Sequence, residues 1–222
     1  MEKKFILTDK FVINSFGIKL FQIKCTKSFK YAQKGDFGGY VEKEGNLDQE
    51  NDAWVFGNAR VFGNARVSSN ARVSGDAWVS DNARVSGDAW VSDNAWVSSN
   101  AWVFGDALVS GYAWVSGDAR VFGNARVSGD AWVSGNAWVS GDADIENDNE
   151  HCGFDGFGSC NRHTHAYMTK EKKVEIICGC FRGSIEEFEK KVEETHSGTV
   201  YEKQYKSIIN VIKIKFGLTD LI

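Results

Sequence analysis

Residues 83–106 read ARVSGDAWVSDNAWVSSNAWVFGD, four units of six in a row. Each unit runs Ala, then Arg or Trp, then Val, then Ser or Phe, then two turn-forming residues. The pattern extends far beyond this stretch. Ala recurs at every sixth position from Ala53 to Ala143, sixteen times. A Val follows two residues after each Ala from Val55 to Val139, and Ile145 closes the series. In an extended chain successive side chains point to opposite sides. Ala and Val therefore share one side, and the Arg or Trp between them takes the other. A Gly-Asp or Gly-Asn pair then turns the chain, because both residue types tolerate positive φ. One short strand and one turn per six residues predict a three-sided solenoid with 18 residues per coil. A single unit would leave its backbone polar groups unpaired, so coils must stack and hydrogen-bond. Sixteen units make a little over five coils, roughly 25 Å tall at the usual strand spacing. So strict an apolar period is not the composition of a disordered tract.

The unit resembles the signature of left-handed parallel β-helices, an aliphatic residue with a small residue four positions later. That resemblance implies left-handed coiling, against the usual right-handed preference of parallel crossovers.

The flanks predict two caps. FVINSFGIKLFQIKC (residues 11–25) alternates around a Gly turn and reads as a β-hairpin. In KGDFGGYVEKEGNLDQE, Val41 and Leu47 fall in the Ala register, so the coils are expected to begin near Gly38. After Ile145, ENDNEHCGFDGFGSCNRH reads as a polar connector. HTHAYMT and KVEIICGCF read as two strands, and SIEEFEKKVEETH as a helix with Ser184 as N-cap and Glu187 completing a capping box. YEKQYKSIINVIKIKF reads as a second amphipathic helix. The expected organisation is mainly β: a hairpin cap over 1–37, a left-handed parallel β-helix of five to six coils over 38–146, and a small α+β domain over 147–222.

The chain also resembles a group of bacteriophage and prophage hexapeptide-repeat proteins. KGDFGGYVEKEGNL, the repeat itself and CGCFRGSIEEFEKKVEETH carry the likeness. It implies the fold and a phage setting, and transfers no chemistry.

The 222 residues include no Pro and 23 Gly, 11 of them in the repeat. No apolar run approaches the ~18 residues of a membrane span. MEKKFILTDKF is too short and mixed for a signal peptide, and five Cys without an export signal suit reduced thiols in a cytoplasm. Net charge is +4 over 1–45, −7 over 46–146 and −1 over 147–222. No basic tail or stripe of the kind that holds long nucleic acid is present.

The outward positions sort into three faces. The first carries Trp54, Arg72, Trp90, Leu108, Arg126 and Asp144. The second carries Arg60 and the row Trp78, Trp96, Trp114 and Trp132. The third carries Arg66, Arg84, Trp102, Arg120 and Trp138, joined by Phe104 and Phe122. Four Trp in a row mark an interface. Left-handed β-helices commonly assemble as trimers, so the resemblance implies a homotrimer with this row at the subunit contact. On the third face Arg84, Trp102, Phe104, Arg120 and Phe122 are the candidate ligand-binding residues: guanidinium groups for phosphate, and rings for a planar base. The opposing reading is that these Arg stack on Trp and pair with Asp or Asn of a neighbouring subunit.

Enzyme readings rank lower. Acyltransferases and zinc carbonic anhydrases of the β-helix class depend on His, and residues 46–146 contain none. His151, His163, His165 and His196 lie C-terminal, with Cys152, Cys160, Cys178 and Cys180, and together could make a zinc site; packing is the preferred reading for the Cys and an exposed or hydrogen-bonded position for His163 and His165, and no metal or cofactor is expected. The function expected first is non-enzymatic: a phage protein of the bacterial cytoplasm that sequesters a small anionic ligand, a nucleotide signal of antiviral defence. The alternatives are a structural or protein-binding module contacting a host or virion protein, and an acyltransferase relative.

Overall fold

A computed structural model of the chain describes residues 2–218. Three strands open it: β1 (Phe5–Ile13), β2 (Lys19–Cys25) and β3 (Phe37–Val41). Sixteen two-residue strands follow at six-residue intervals, from β4 (Trp54–Val55) to β19 (Asp144–Ile145). Every third strand is hydrogen-bonded to the one before, so the three faces are three parallel sheets. Their membership is the one that the period of 18 predicts, and the chain forms a β-solenoid of about six coils.

The repeat explains the packing. Every Val and Ala from Ala53 to Ile145 is buried, most of them completely. Most units also send three backbone N–H groups to the next coil. In one unit Arg84, Ser86 and Asp88 donate to the carbonyls of Ala101, Val103 and Gly105 at 2.8–2.9 Å. Ala83 N–H closes the preceding turn onto Ser80 O at 3.1 Å. Backbone donors are thereby satisfied within a stack of strands only two residues long. The corner before each Asp/Asn needs positive φ, and Gly fills most of these places. Ser69, Asp81, Asp93 and Ser99 adopt the same conformation at φ 57–60°. Asp81 and Asp93 offset part of that strain, since their carboxylates accept Ser99 N–H at 3.0 Å and Gly111 N–H at 3.1 Å from the next coil.

At the N-terminal end β1 and β2 extend the sheet of the second face as an antiparallel hairpin, and β3 pairs with β2 on one side and with the Arg60–Val61 strand on the other. A Cβ on Gly39 would lie 2.7 Å from Ala59 O, so the KGDFGGYV segment needs Gly to enter the stack. Val41 aligns with Val61 and Leu47 with Val67, a separation of 20 rather than 18. Both residues therefore sit in the Val register and not in the Ala register. Two extra residues between Leu47 and Val55, in the turn that carries Asn51 and Asp52, shift the phase. Lys4 closes this end, its ammonium donating to the carbonyls of Ala53 at 2.9 Å and Asn51.

The C-terminal end is covered by an antiparallel sheet of β20 (His151–Phe157), β21 (Arg162–Met168), β22 (Val174–Cys178) and β23 (Phe181–Ser184). The stretch read as a polar connector thus contains a strand. Its alternation, Cys152 and Phe154 against His151 and Asp155, is masked by Gly153 and Gly156. Tyr167 and Ile177 on one side of this sheet join the solenoid core. Ala166, Ile176 and Cys178 on the other side pack against α1 (Ile185–His196) and α2 (Val200–Lys215). Ser184 caps α1 with Glu187 in the expected reciprocal pair. None of the described helices is long and apolar enough to cross a membrane.

Candidate functional site

The third face presents Arg66, Arg84, Trp102, Arg120 and Trp138 as successive outward residues of adjacent coils. The Arg84 and Arg120 guanidinium groups lie 6.0 and 5.9 Å from the Trp102 ring centroid, one from each neighbouring coil. Arg120 also lies 5.1 Å from the Trp138 centroid. Trp102 touches Phe104 at 4.8 Å, and Phe104 stacks on Phe122 at 4.9 Å with the rings 2° from parallel. All five residues expected to bind ligand are therefore contiguous. Trp102 itself, however, lies between two guanidinium groups, so a base could stack on it only by displacing one of them. A guanidinium stacked on a ring still directs its in-plane N–H donors outward.

The chemically distinct part of this face lies one coil nearer the N-terminus. Arg66 and Arg84 are direct cross-strand partners, an arrangement of like charges that is unfavourable on its own. Among the described residues the arginines that pair with carboxylates are Arg126, with Asp144 at 3.8 Å, and Arg182, with Glu175 at 2.7 Å. Arg66 and Arg84 have no such partner. With Ser68, Ser86 and Trp102 they line an open depression of about 290 Å³. The Trp102 indole N–H donates to Ser86 Oγ at 3.3 Å and fixes one wall. Arg66 and the two serines were not singled out from the sequence. The signal was present in the Arg-x-x-x-x-x pattern, two Arg separated by 18 residues with no Trp between them in the column.

The second face behaves differently. Trp96 stacks on Trp114 at 5.1 Å and Trp114 on Trp132 at 5.2 Å, each pair 8° from parallel. Trp78 meets Trp96 edge-on at 5.6 Å. Phe16, at the tip of the β1–β2 hairpin, packs on Phe62, Trp78 and Trp96. The hairpin so covers the N-terminal half of the row. Trp132 remains 51% exposed and Tyr112, at the adjoining corner, 70% exposed.

His151, His163 and His165 are engaged with one another and with the solenoid, while His196 stacks on Tyr205. His165 Nδ1 lies 2.9 Å from Trp138 O, which can only accept, so His165 carries its proton on Nδ1. Its Nε2 is then an acceptor and takes the His151 Nδ1–H at 3.2 Å. Burial pushes the His165 pKa down to about 3, against a smaller opposing contribution from that carbonyl bond. Burial also lowers His151, opposed by Asp148. His163 Nδ1 is 2.8 Å from Asp155. Burial alone would raise Asp155, but hydrogen bonds from His163 and Asn136 hold it below the usual carboxylate range. Cys178 is buried beneath Thr164, while Cys160 and Cys180 are exposed. Among the described residues no three of His, Cys, Asp and Glu converge as a metal site would require.

A family model for the YdcK β-solenoid repeat matches residues 65–81, 77–93 and 119–135. These segments lie wholly within the coils and include both Arg66 and Arg84. A comparison with curated proteins finds no match. The regular coil stacking and the matched repeats lead to one conclusion: the chain is a β-solenoid repeat protein.

Proposed function

We propose that this protein is a non-enzymatic binding protein that captures a small phosphate-bearing ligand on the third face of its solenoid. The observation that carries the reading is the Arg66–Arg84 pair, two adjacent cations without a carboxylate beside a Trp-walled depression. An anion bridging the two guanidinium groups would remove their repulsion and gain charge-assisted hydrogen bonds. Ser68 and Ser86 add hydroxyl donors, and the Trp102 edge limits what fits. A nucleotide matches this combination, and the phage-like flanking sequences favour a nucleotide signal of bacterial antiviral defence, sequestered in the host cytoplasm. The scaffold acts as a homotrimer joined through the exposed part of the Trp row. Calorimetry and native mass spectrometry against a nucleotide panel test the reading. Binding, with the nucleotide recovered unchanged on denaturation, supports it; a converted product would make the protein an enzyme instead.

A second reading rests on the Trp114–Trp132 ridge. Its rings stack on one another up to Trp132, the last rung of its sheet, and that rung and the Tyr112 corner meet solvent. Such a rigid apolar ridge suits a flat protein surface, and a structural or protein-binding module would use it in place of self-assembly.

A further inference from the structure

Stacking along the third face leaves one aromatic face unoccupied. Trp102 has a guanidinium on each side, but Trp138 is the last rung of its sheet. Arg120 covers one side of Trp138 at 5.1 Å, and Phe122 meets it edge-on at 6.4 Å and 81°. On the far side, where the next coil would continue, the chain has left the solenoid. A cavity of about 210 Å³ opens there, lined by Trp138, Ile177, Gly179, Asn136, His163 and Arg162.

The walls of this cavity are set by the capping sheet. The Asn136 amide donates to Asp155 at 3.1 Å, and His163 holds the same carboxylate oxygen at 2.8 Å. Asn136, the His163 Nδ1 and the acid are thus committed to one another, while His163 Nε2 is buried without a partner. Arg162 is the charged group left free. It pairs with no carboxylate among the described residues. Its side chain crosses the α-carbon of Gly179, where an added Cβ would come within 2.6 Å of the guanidinium. Gly179 also has φ +61°. The Cys178-Gly179-Cys180 turn therefore makes room for a cation beside a largely apolar slot.

We infer that this cavity is a second binding site, which takes a small planar aromatic carboxylate between the free face of Trp138 and Arg162. Trp138 supplies a stacking surface, Ile177 and Gly179 supply flat walls, and Arg162 meets the carboxylate at the mouth. The volume admits one or two fused rings and excludes a nucleotide. The site is independent of the Arg66–Arg84 depression, which lies several coils away.

Indole-3-carboxylate is the probe, and indole-3-carboxamide its uncharged counterpart, both titrated calorimetrically into the full chain. The carboxylate binds at least tenfold more tightly than the carboxamide. Arg162→Gln, an exposed substitution that leaves the fold intact, abolishes that difference, and Trp138→Leu weakens both compounds. Arg84→Gln changes neither, which separates this site from the Arg66–Arg84 depression. Absence of binding at millimolar probe, equal affinity for the two compounds, or discrimination that survives Arg162→Gln would each overturn the proposal.

Discussion

Trp96 donates its indole N–H to Ser80 Oγ at 3.2 Å, a residue sixteen positions earlier on the preceding coil. The same relation joins Trp90 to Ser74, Trp102 to Ser86, Trp114 to Ser98 and Trp132 to Ser116, at 2.8–3.4 Å. Trp78 and Trp138 have Phe at that place, and both rest edge-on against it, on Phe62 at 5.7 Å and on Phe122 at 6.4 Å. Each of these seven Trp thus has either a Ser hydroxyl or a Phe ring beneath its edge. A Trp needs either an acceptor for its N–H or an aromatic surface for its edge. Ser80→Ala removes the acceptor from a buried position and lowers stability by about 0.5–1.5 kcal/mol in urea titration. Ser134→Ala, exposed and without a Trp sixteen residues on, changes little.

Ser99 occupies a corner at φ 58°, where its neighbours in the stack are mostly Gly. The left-handed conformation costs a non-Gly residue about 1–2 kcal/mol. Ser99→Gly keeps the backbone N–H that Asp81 accepts. Part of the gain is offset by the flexibility of Gly in the unfolded chain. The expected net result is a stabilisation of about 1 kcal/mol, read as a rise in the denaturation midpoint. A destabilised Ser99→Gly protein would show that the serine side chain holds the corner.

The buried His165 makes the C-terminal cap acid-sensitive. Its pKa is depressed from 6.5 to about 3, so between these values the unfolded chain binds the proton and the folded chain does not. Stability from this group is complete above pH 6.5 and is lost progressively as pH falls toward 3. His165→Asn retains an amide donor for Trp138 O and removes the titration. Its stability curve should be flatter than that of the wild type between pH 6.5 and 4. Parallel curves would assign the acid sensitivity elsewhere.

The proposed trimer is joined through the exposed end of the Trp row. Light scattering at micromolar concentration should give the mass of three chains. Trp132→Ser with Tyr112→Ser should lower that state to a monomer, without loss of the β-sheet circular dichroism signal. A wild-type monomer would leave the ridge to a different partner.

How much of this was readable from the residues follows from what each feature depends on. The faces were readable, because a rigid period of six assigns every outward side chain once the coil length is 18. The Ser184–Glu187 cap was readable because it is local. The phase of Val41 and Leu47 was not, since two extra residues in one turn shift the register without altering the spacing between them. The strand at His151–Phe157 was hidden by two Gly within its alternation. The cover of Phe16 over Trp78 and Trp96 depends on where a hairpin points, which no local pattern states. The candidate ligand residues were found as a group, but their roles changed once coil stacking placed Arg84 and Arg120 against both faces of Trp102. The depression beside Arg84 is completed by Arg66, Ser68 and Ser86.

The most direct measurement is a calorimetric titration of the nucleotide panel into the wild type, Arg66→Gln, Arg84→Gln and Arg126→Gln. Arg126 is the comparison because Asp144 already neutralises it. The account predicts that at least one nucleotide binds the wild type, and that Arg66→Gln and Arg84→Gln each lower affinity by about 1.5–3 kcal/mol, more than tenfold. Arg126→Gln should bind as the wild type does. Failure of every nucleotide to bind, or binding that is indifferent to both Arg66 and Arg84, would contradict it.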